Sequence, residues 1–226
     1  MTPDERITAL WHPTMNGALT PADISRHSHK KVWWRCPEGH DWETMVYTIA
    51  AGTGCPYCSG KQVLPGFNDL ATTHPDLAVE WDIEHNGDFR PDAVTHGSIK
   101  EAWWRCPEGH IYQAKVFSRV AGTDCPYCSG KKVLAGYNDL MTTAPAIAAQ
   151  WCEPLNDGLL PTGFTRGSHK KVWWQCSEGH VWQAAIYART RSNASNCPIC
   201  AGKARRRPKS HAGQSAKRGI AAYPYS

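Results

Sequence analysis

Two short spacings recur along the chain, and both are built from residues that bind metal ions. The first is Cys-x3-His: Cys36 and His40, Cys106 and His110, Cys176 and His180. The second is Cys-x2-Cys: Cys55 and Cys58, Cys125 and Cys128, Cys197 and Cys200. Tetrahedral zinc takes four N or S ligands, and close pairs on two turns supply them from two directions. The expectation is three Cys3His zinc sites. Four protein ligands leave no open position for water, so the sites should be structural, not catalytic. A disulfide framework or free buried thiols would use the same cysteines. Nine of the ten cysteines and three histidines repeat in phase, which favours metal. The tenth, Cys152, stands where the earlier copies have His12 and Asp82, and reads as a bystander.

The compartment supports the same reading. Residues 1–10 are polar and lack the apolar centre of a signal peptide. No apolar run approaches the roughly 20 residues a membrane span needs. A cytoplasmic chain keeps its thiols reduced, so paired cysteines there read as ligands before disulfides.

The ligands sit in an internal repeat. KKVWWRCPEGHDW (30–42), KEAWWRCPEGHIY (100–112) and KKVWWQCSEGHVW (170–182) align without a gap, at a step of 70 residues. Upstream, Trp11, Trp81 and Trp151 match, as do Asn16, Asn86 and Asn156. Downstream, residues 52–75 match 122–145, and the third copy has two extra residues before Cys197. This gives zinc modules at 1–62, 63–132 and 133–204, and a tail at 205–226. Units this small bury too little apolar area to be safely stable alone, so a metal staple is expected. The tail is basic and rich in Gly, Ser and Ala, a composition that predicts disorder.

Each module should be a small zinc-stabilised α+β unit of β-hairpin, zinc knuckles and short helix. KVWWRC is β-branched and aromatic and predicts a strand; DWETMVY suits its partner. Cys36-Pro-Glu-Gly-His40 is a tight turn in which Gly39 can take positive φ. Symmetry about that turn pairs Trp34 with Trp42 and Val32 with Thr44 on the ligand-bearing face. Trp33 then faces Glu43, and Arg35 faces Asp41, on the other. After the second knuckle a short helix is expected, capped by Thr73 or His74, opened by Pro75, with Leu77, Ala78 and Trp81 at helical spacing. It lies between two hairpins and should pack on the following one.

Charge is unevenly placed. The formal total is +5, but the segment from Lys203 onward carries +7 and no acid, which leaves residues 1–202 at −2. Three thiolates around each Zn2+ make every site −1, so the loaded body is near −5. The body is therefore no uniformly basic nucleic-acid binder. Basic residues do gather in the segment before the first knuckle: Lys30, Lys31 and Arg35; Lys100 and Arg105; Lys170 and Lys171. Others fall near the second knuckle, including Arg119 and Arg189, and in the tail, including Arg205, Arg206 and Arg207. A basic stripe repeated in three modules could follow a phosphate backbone, duplex DNA before RNA. The competing readings are a solvated hairpin face and a solubilising tail.

The run S-x-K-K-x-W-W-x-C-x-x-G-H-x-W, then C-P-x-C-x-G, then N-D-L-x-T-x-x-P, resembles a bacterial and phage family of zinc-ribbon or treble-clef domains. These occur in tandem arrays, sometimes fused to nucleases of the very-short-patch-repair type. The match covers nearly all of residues 7–203. It implies a zinc-held hairpin module, DNA binding by association, and a nuclease or other DNA-processing protein as partner. His27 departs from Gly97 and Gly167, and Ile99 and Glu101 weaken the basic run of the second module.

Catalysis is not expected. The only histidines in phase across all three copies are the ligands, and Glu38, Glu108 and Glu178 lie within x-E-G-H turns. A protein-interaction scaffold is the alternative to nucleic-acid binding, since a body near −5 does not demand DNA.

Overall fold

The computed structural model describes residues 3–192 and 196–203. The chain divides at Lys131 and Lys132 into two compact units. The first holds two zinc modules and the second holds one. The predicted tail lies outside the described residues.

Three antiparallel hairpins carry the repeat: β1 (Lys31–Arg35) with β2 (Asp41–Met45), β3 (Glu101–Arg105) with β4 (Ile111–Lys115), and β5 (Lys171–Gln175) with β6 (Val181–Ala185). The register is the symmetric one: Trp34 opposes Trp42, Trp33 opposes Glu43 and Arg35 opposes Asp41. The other hairpins repeat it. The turn closes through the Cys36 N–H to the His40 carbonyl, 3.1 Å, and the Gly39 N–H to the Cys36 carbonyl, 2.9 Å. Gly39 sits at φ 82°, the left-handed region that favours glycine.

The second strand is shorter than DWETMVY predicts. It ends at Met45, and Val46–Ala50 forms a one-turn helix, matched by Val116–Val120 and Ile186–Thr190. The ladder is abandoned because Val46 N–H and Tyr47 N–H donate instead to the carbonyls of Lys30 and Ser28. Turning the chain there buries Val46 and Ile49 completely.

The expected helix over Pro75–Trp81 is also revised. Two one-turn helices stand there, Leu70–Thr73 and Pro75–Ala78. Asp69 caps the first, accepting from Thr72 N–H at 2.8 Å, and from the Gly66 N–H at 2.6 Å. His74 breaks the pair at φ −139°, ψ 64°, as expected of a residue before proline. Trp81 leaves the helix and bridges Trp104. The same two turns recur at Leu140–Thr143 and Pro145–Ala148.

Each core forms around one tryptophan: Trp34, Trp104 and Trp174 are fully buried. The segment upstream of each hairpin packs on it, through Ile7 in module 1, Leu70 and Trp81 in module 2, and Leu140 in module 3. Trp11, Trp81 and Trp151 meet the buried rings edge-on, at 5.6, 5.1 and 5.5 Å between centroids, geometry that aromatic quadrupoles prefer. An asparagine completes each hairpin. Asn16 accepts from Trp33 N–H at 2.7 Å and donates to its carbonyl at 2.9 Å, replacing a strand neighbour. Asn86 and Asn156 do the same for Trp103 and Trp173. These side chains leave Trp33, Trp103 and Trp173 half-buried on the outer face.

Candidate metal centres

In each module the hairpin turn supplies the first Cys and the His, and a downstream knuckle supplies the Cys-x2-Cys pair. That knuckle is a tight turn, held by Ser59 N–H to the Cys55 carbonyl, 3.1 Å, and Gly60 N–H to the Tyr57 carbonyl, 3.1 Å. The hairpin and knuckle bring four donor atoms together in every module, each set lying within 4.8 Å.

In module 1, His40 Nδ1 lies 3.4 Å from Cys36 Sγ, 3.2 Å from Cys58 Sγ and 3.8 Å from Cys55 Sγ. Cys36 and Cys58 sulfurs are 3.8 Å apart. Module 2 repeats these distances at 3.5, 3.2, 3.8 and 3.8 Å. Module 3 gives 3.6, 3.3, 3.9 and 3.8 Å. A tetrahedron with Zn–S near 2.3 Å and Zn–N near 2.0 Å requires about 3.8 Å between sulfurs and about 3.5 Å from sulfur to nitrogen. The donor sets fit zinc. They do not fit disulfides, whose S–S length is about 2.05 Å, and all ten cysteines are free thiols. The three centres are structural Zn2+ sites, with Nδ1 as the histidine donor.

The thiols show why a cation belongs there. Desolvation, with Cys55 and Cys36 alongside, pushes the Cys58 thiol up to about 12. Hydrogen bonding to Cys197, then desolvation, pushes Cys200 up to about 11. Desolvation also works against the Cys197 thiolate, but hydrogen bonds from the Cys200 and Ile199 backbone, joined by those of the Cys200 and Cys176 side chains, bring that thiol down to about 7. Crowded thiolates repel one another, and a dication at their centre removes that repulsion.

A fourth group of metal-capable side chains, Asp82, Glu84 and His85, is differently used. Arg105 places a guanidinium nitrogen 2.8 Å from Asp82 Oδ2 and 3.6 Å from Glu84 Oε2. A protein cation already occupies the place a metal would take.

The basic residues expected to meet nucleic acid separate into four sets. Lys30, Lys31, Lys100, Lys170 and Lys171 are exposed. Arg35 and Arg105 are only partly available: Arg35 holds Asp41 by two hydrogen bonds of 2.7 and 2.8 Å, and Arg105 holds Asp82. Arg119 and Arg189 are a correction. They are 8 % and 3 % exposed and belong to the cores. Arg119 lies over Trp104 and Tyr112 and donates to Glu80 and to the Thr123 carbonyl. Arg189 lies over Trp174 and Trp182 and donates to Gln150. A guanidinium stacks on an aromatic face and, with its terminal nitrogens hydrogen-bonded, tolerates this burial. Arg205, Arg206 and Arg207 lie outside the described residues.

The repeat itself held the missed signal. Position 49 of module 1 is Ile, fully buried, where modules 2 and 3 have Arg119 and Arg189. Its neighbour Leu10 stands where they have Glu80 and Gln150. One apolar pair and two polar pairs fill the same place.

A second position also changes character. In module 1, His12 is buried, accepts at Nδ1 from Thr14 and Met15 N–H groups, and sets Nε2 3.2 Å from Asp41. The hydrogen bonds from Arg35 hold the Asp41 carboxyl down to about 2. Module 2 moves the acid to Asp82, and module 3 has Cys152, Gln175 and Val181 at the three positions. Cys152 is buried.

The comparisons with known proteins agree with this geometry. The family model described as "Probable Treble clef zinc finger domain" matches residues 7–61, 77–131 and 147–203. The SPbeta prophage-derived uncharacterized protein YomD of Bacillus subtilis (strain 168) is 24 % identical over 106 residues, 47 % of this chain. The alignment spans 36 % of that relative's own length. With three model matches covering most of the chain, each enclosing one Cys3His set, the protein belongs to the probable treble clef zinc finger domain family.

Proposed function

We propose that this chain is a non-enzymatic zinc-repeat protein that binds nucleic acid, duplex DNA in the first place. The observation that carries the reading is the recurrence of exposed lysines at one place in every module, the entry to the first hairpin strand. Lys31 and Lys171 face Met45 and Ala185 across the ladder, so no cross-strand carboxylate neutralises them. Among the described residues no carboxylate lies in ion-pair range of Lys30, Lys31, Lys170 or Lys171. Module 2 is the weaker, because Glu101 opposes Lys115 there. Lysines that recur in successive modules suit phosphates, which position a protein without reading sequence. The tail residues Arg205, Arg206 and Arg207 add further attraction.

The four-ligand centres leave no place for a reacting water, so the role assigned to zinc is to hold the hairpins. Thiolate centres of this kind suit a reducing compartment, and the proposal sets the protein in the cytoplasm. A nuclease or other DNA-processing protein is the partner such an array would serve.

The test is the salt dependence of binding to random duplex DNA by the full chain. Each phosphate contact contributes about −0.9 to the log–log slope. Replacing Lys30, Lys31, Lys170 and Lys171 by alanine should flatten the slope, and removing 205–226 should flatten it further. No salt-sensitive binding by the full chain would end this reading. The remaining one would be a protein-interaction scaffold, supported by the body's charge near −5 and by the self-paired Arg35 and Arg105.

A further inference from the structure

Beside the exposed lysines, two modules carry an aromatic pair that neither the core nor the metal uses. His29 lies against Tyr47 with centroids 4.8 Å apart, and His169 stacks on Tyr187 at 4.4 Å and 28°. All four side chains are exposed; Tyr47 and Tyr187 are 41 % and 37 % open to solvent. A core has no need of rings left in water, and the backbone that carries them is hydrogen-bonded in place. Tyr47 N–H donates to the Ser28 carbonyl and Val46 N–H to that of Lys30, at 3.1 and 3.2 Å. Tyr187 and Ile186 make the same bonds to Ser168 and Lys170, at 2.9 and 3.1 Å. The serine hydroxyls accept from Lys30 and Lys170 N–H groups. The loop and the first helical turn are thus clamped together, and the rings sit on that clamp.

Cationic residues neighbour both pairs in sequence. Arg26, Lys30 and Lys31 lie in or beside the loop of module 1. Module 3 has Lys170 and Lys171, Arg166 tied to the Thr190 carbonyl, and Arg191 over the Tyr187 ring at 6.0 Å. Module 2 keeps the clamp but substitutes Ile99 and Phe117, which ends the two-ring stack.

We propose that the His29–Tyr47 and His169–Tyr187 pairs are stacking platforms for unpaired bases, with the adjacent lysines on the flanking phosphates. The inference rests on the nucleic-acid reading and narrows it. The preferred ligand becomes duplex DNA bordered by single strand, with each platform able to take unpaired bases by itself. A preformed ring pair loses little conformational freedom on binding, and stacking is indifferent to base identity because every base has a π-face.

Fluorescence anisotropy with three probes tests this: a blunt duplex, the same duplex with a single-stranded overhang, and the overhang strand alone. The overhang should tighten binding by the full chain. Tyr47→Leu with Tyr187→Leu should weaken binding to the two single-strand-bearing probes by about 10-fold per platform, leaving the blunt duplex unchanged. Tyr47→Phe with Tyr187→Phe should retain wild-type affinity. Zinc content of three per chain in each variant shows that the modules stand. Equal loss on all three probes, or no loss on any, overturns the platforms while leaving phosphate binding in place. Binding to none of the probes by the parent protein overturns the nucleic-acid reading and this inference together.

Discussion

The zinc centres of modules 1 and 3 share their ligands and differ in what surrounds them. In module 1, the Phe67 ring lies 4.1 Å from His40 and Tyr57 lies 5.8 Å away. Asn68 straps that cover down, donating to the Tyr57 and Gln62 carbonyls at 2.7 and 2.8 Å. Asp69 and Leu70, next in sequence, cap a helix and enter the core of module 2. Module 3 has Ile199 in place of Tyr57, 41 % exposed. The V-L-x-G-[FY]-N-D-L segment has no third copy, because the repeat stops at Lys203. Its Cys176 is half-buried where Cys36 is buried. The ligands therefore define a site, and the chain that follows determines how well it is closed.

Deleting a ligand is the severest way to break the comparison. Cys55→Ser and Cys197→Ser should each reduce bound zinc from three to two per chain, measured by atomic emission. Structural zinc supplies about 10–16 kcal/mol of apparent folding energy in small peptides, more than a core of this size can replace. Hydrogen exchange should show the affected hairpin opening fully, residues 31–45 in one variant and 171–185 in the other. The Cys55 variant should also loosen the start of module 2, through the Asn68 strap. Equal, purely local effects would show that the strap carries no coupling.

The cores offer a subtler exchange. Module 1 packs Leu10 near Ile49, and module 3 sets Gln150 against Arg189 beneath two tryptophans. Gln150→Leu removes an acceptor from a buried guanidinium and should cost about 1–3 kcal/mol, read as faster exchange over 171–185. Adding Arg189→Ile installs the pair of module 1 and should recover most of the loss. A double variant worse than the single would mean that the arginine's stacking, not its hydrogen bond, is what module 3 depends on.

These particulars mark where the sequence was legible. Ligand identity, hairpin register and the stop at each tight turn follow from residue types with few alternative uses: Cys, His, Gly, and paired aromatics. The burial of Arg119 and Arg189 is hidden because a lone arginine in a short segment ordinarily reads as solvated. Only comparison with Ile49, one and two repeats away, reveals a core position. The Asp69 cap is not legible in the sequence because Pro75 is the stronger mark of a helix start, and two four-residue helices are too short to show a period. The Asn16, Asn86 and Asn156 bridges were visible as a recurrence but not as a role, since their partners lie 17 residues away.

Removing the cover should narrow the difference between the two centres. Under chelator challenge, module 3 should release zinc before module 1. Phe67→Ala removes one ring contact, worth about 0.5–1.5 kcal/mol, and should accelerate release from module 1 by roughly 2- to 10-fold. A colorimetric zinc indicator gives the rates, and Cys197→Ser in the same background assigns the phases. If Phe67→Ala leaves both phases unchanged, the ring does not guard the metal.

The smallest expected effect lies in the ion pair that only one of the two modules has. Asp41, gripped by Arg35 and close to His12, has its carboxyl pulled down to about 2, chiefly by the Arg35 hydrogen bonds. A depressed acid stabilises fully above the ordinary carboxylate pKa of about 3.9, and that contribution disappears as pH falls through about 2. Zinc thiolates take up protons and release metal in acid, so an acid titration would report the metal first. The contribution is better isolated at neutral pH, where Asp41→Asn should modestly hasten exchange over 31–45 with three zincs still bound. The effect should shrink with added salt, because the pair is partly exposed. Gln175→Arg with Val181→Asp transfers the pair to module 3 and should slow exchange over 171–185 by a similar small factor. If the transfer slows exchange there while Asp41→Asn changes nothing in module 1, His12 already holds that corner without the ion pair.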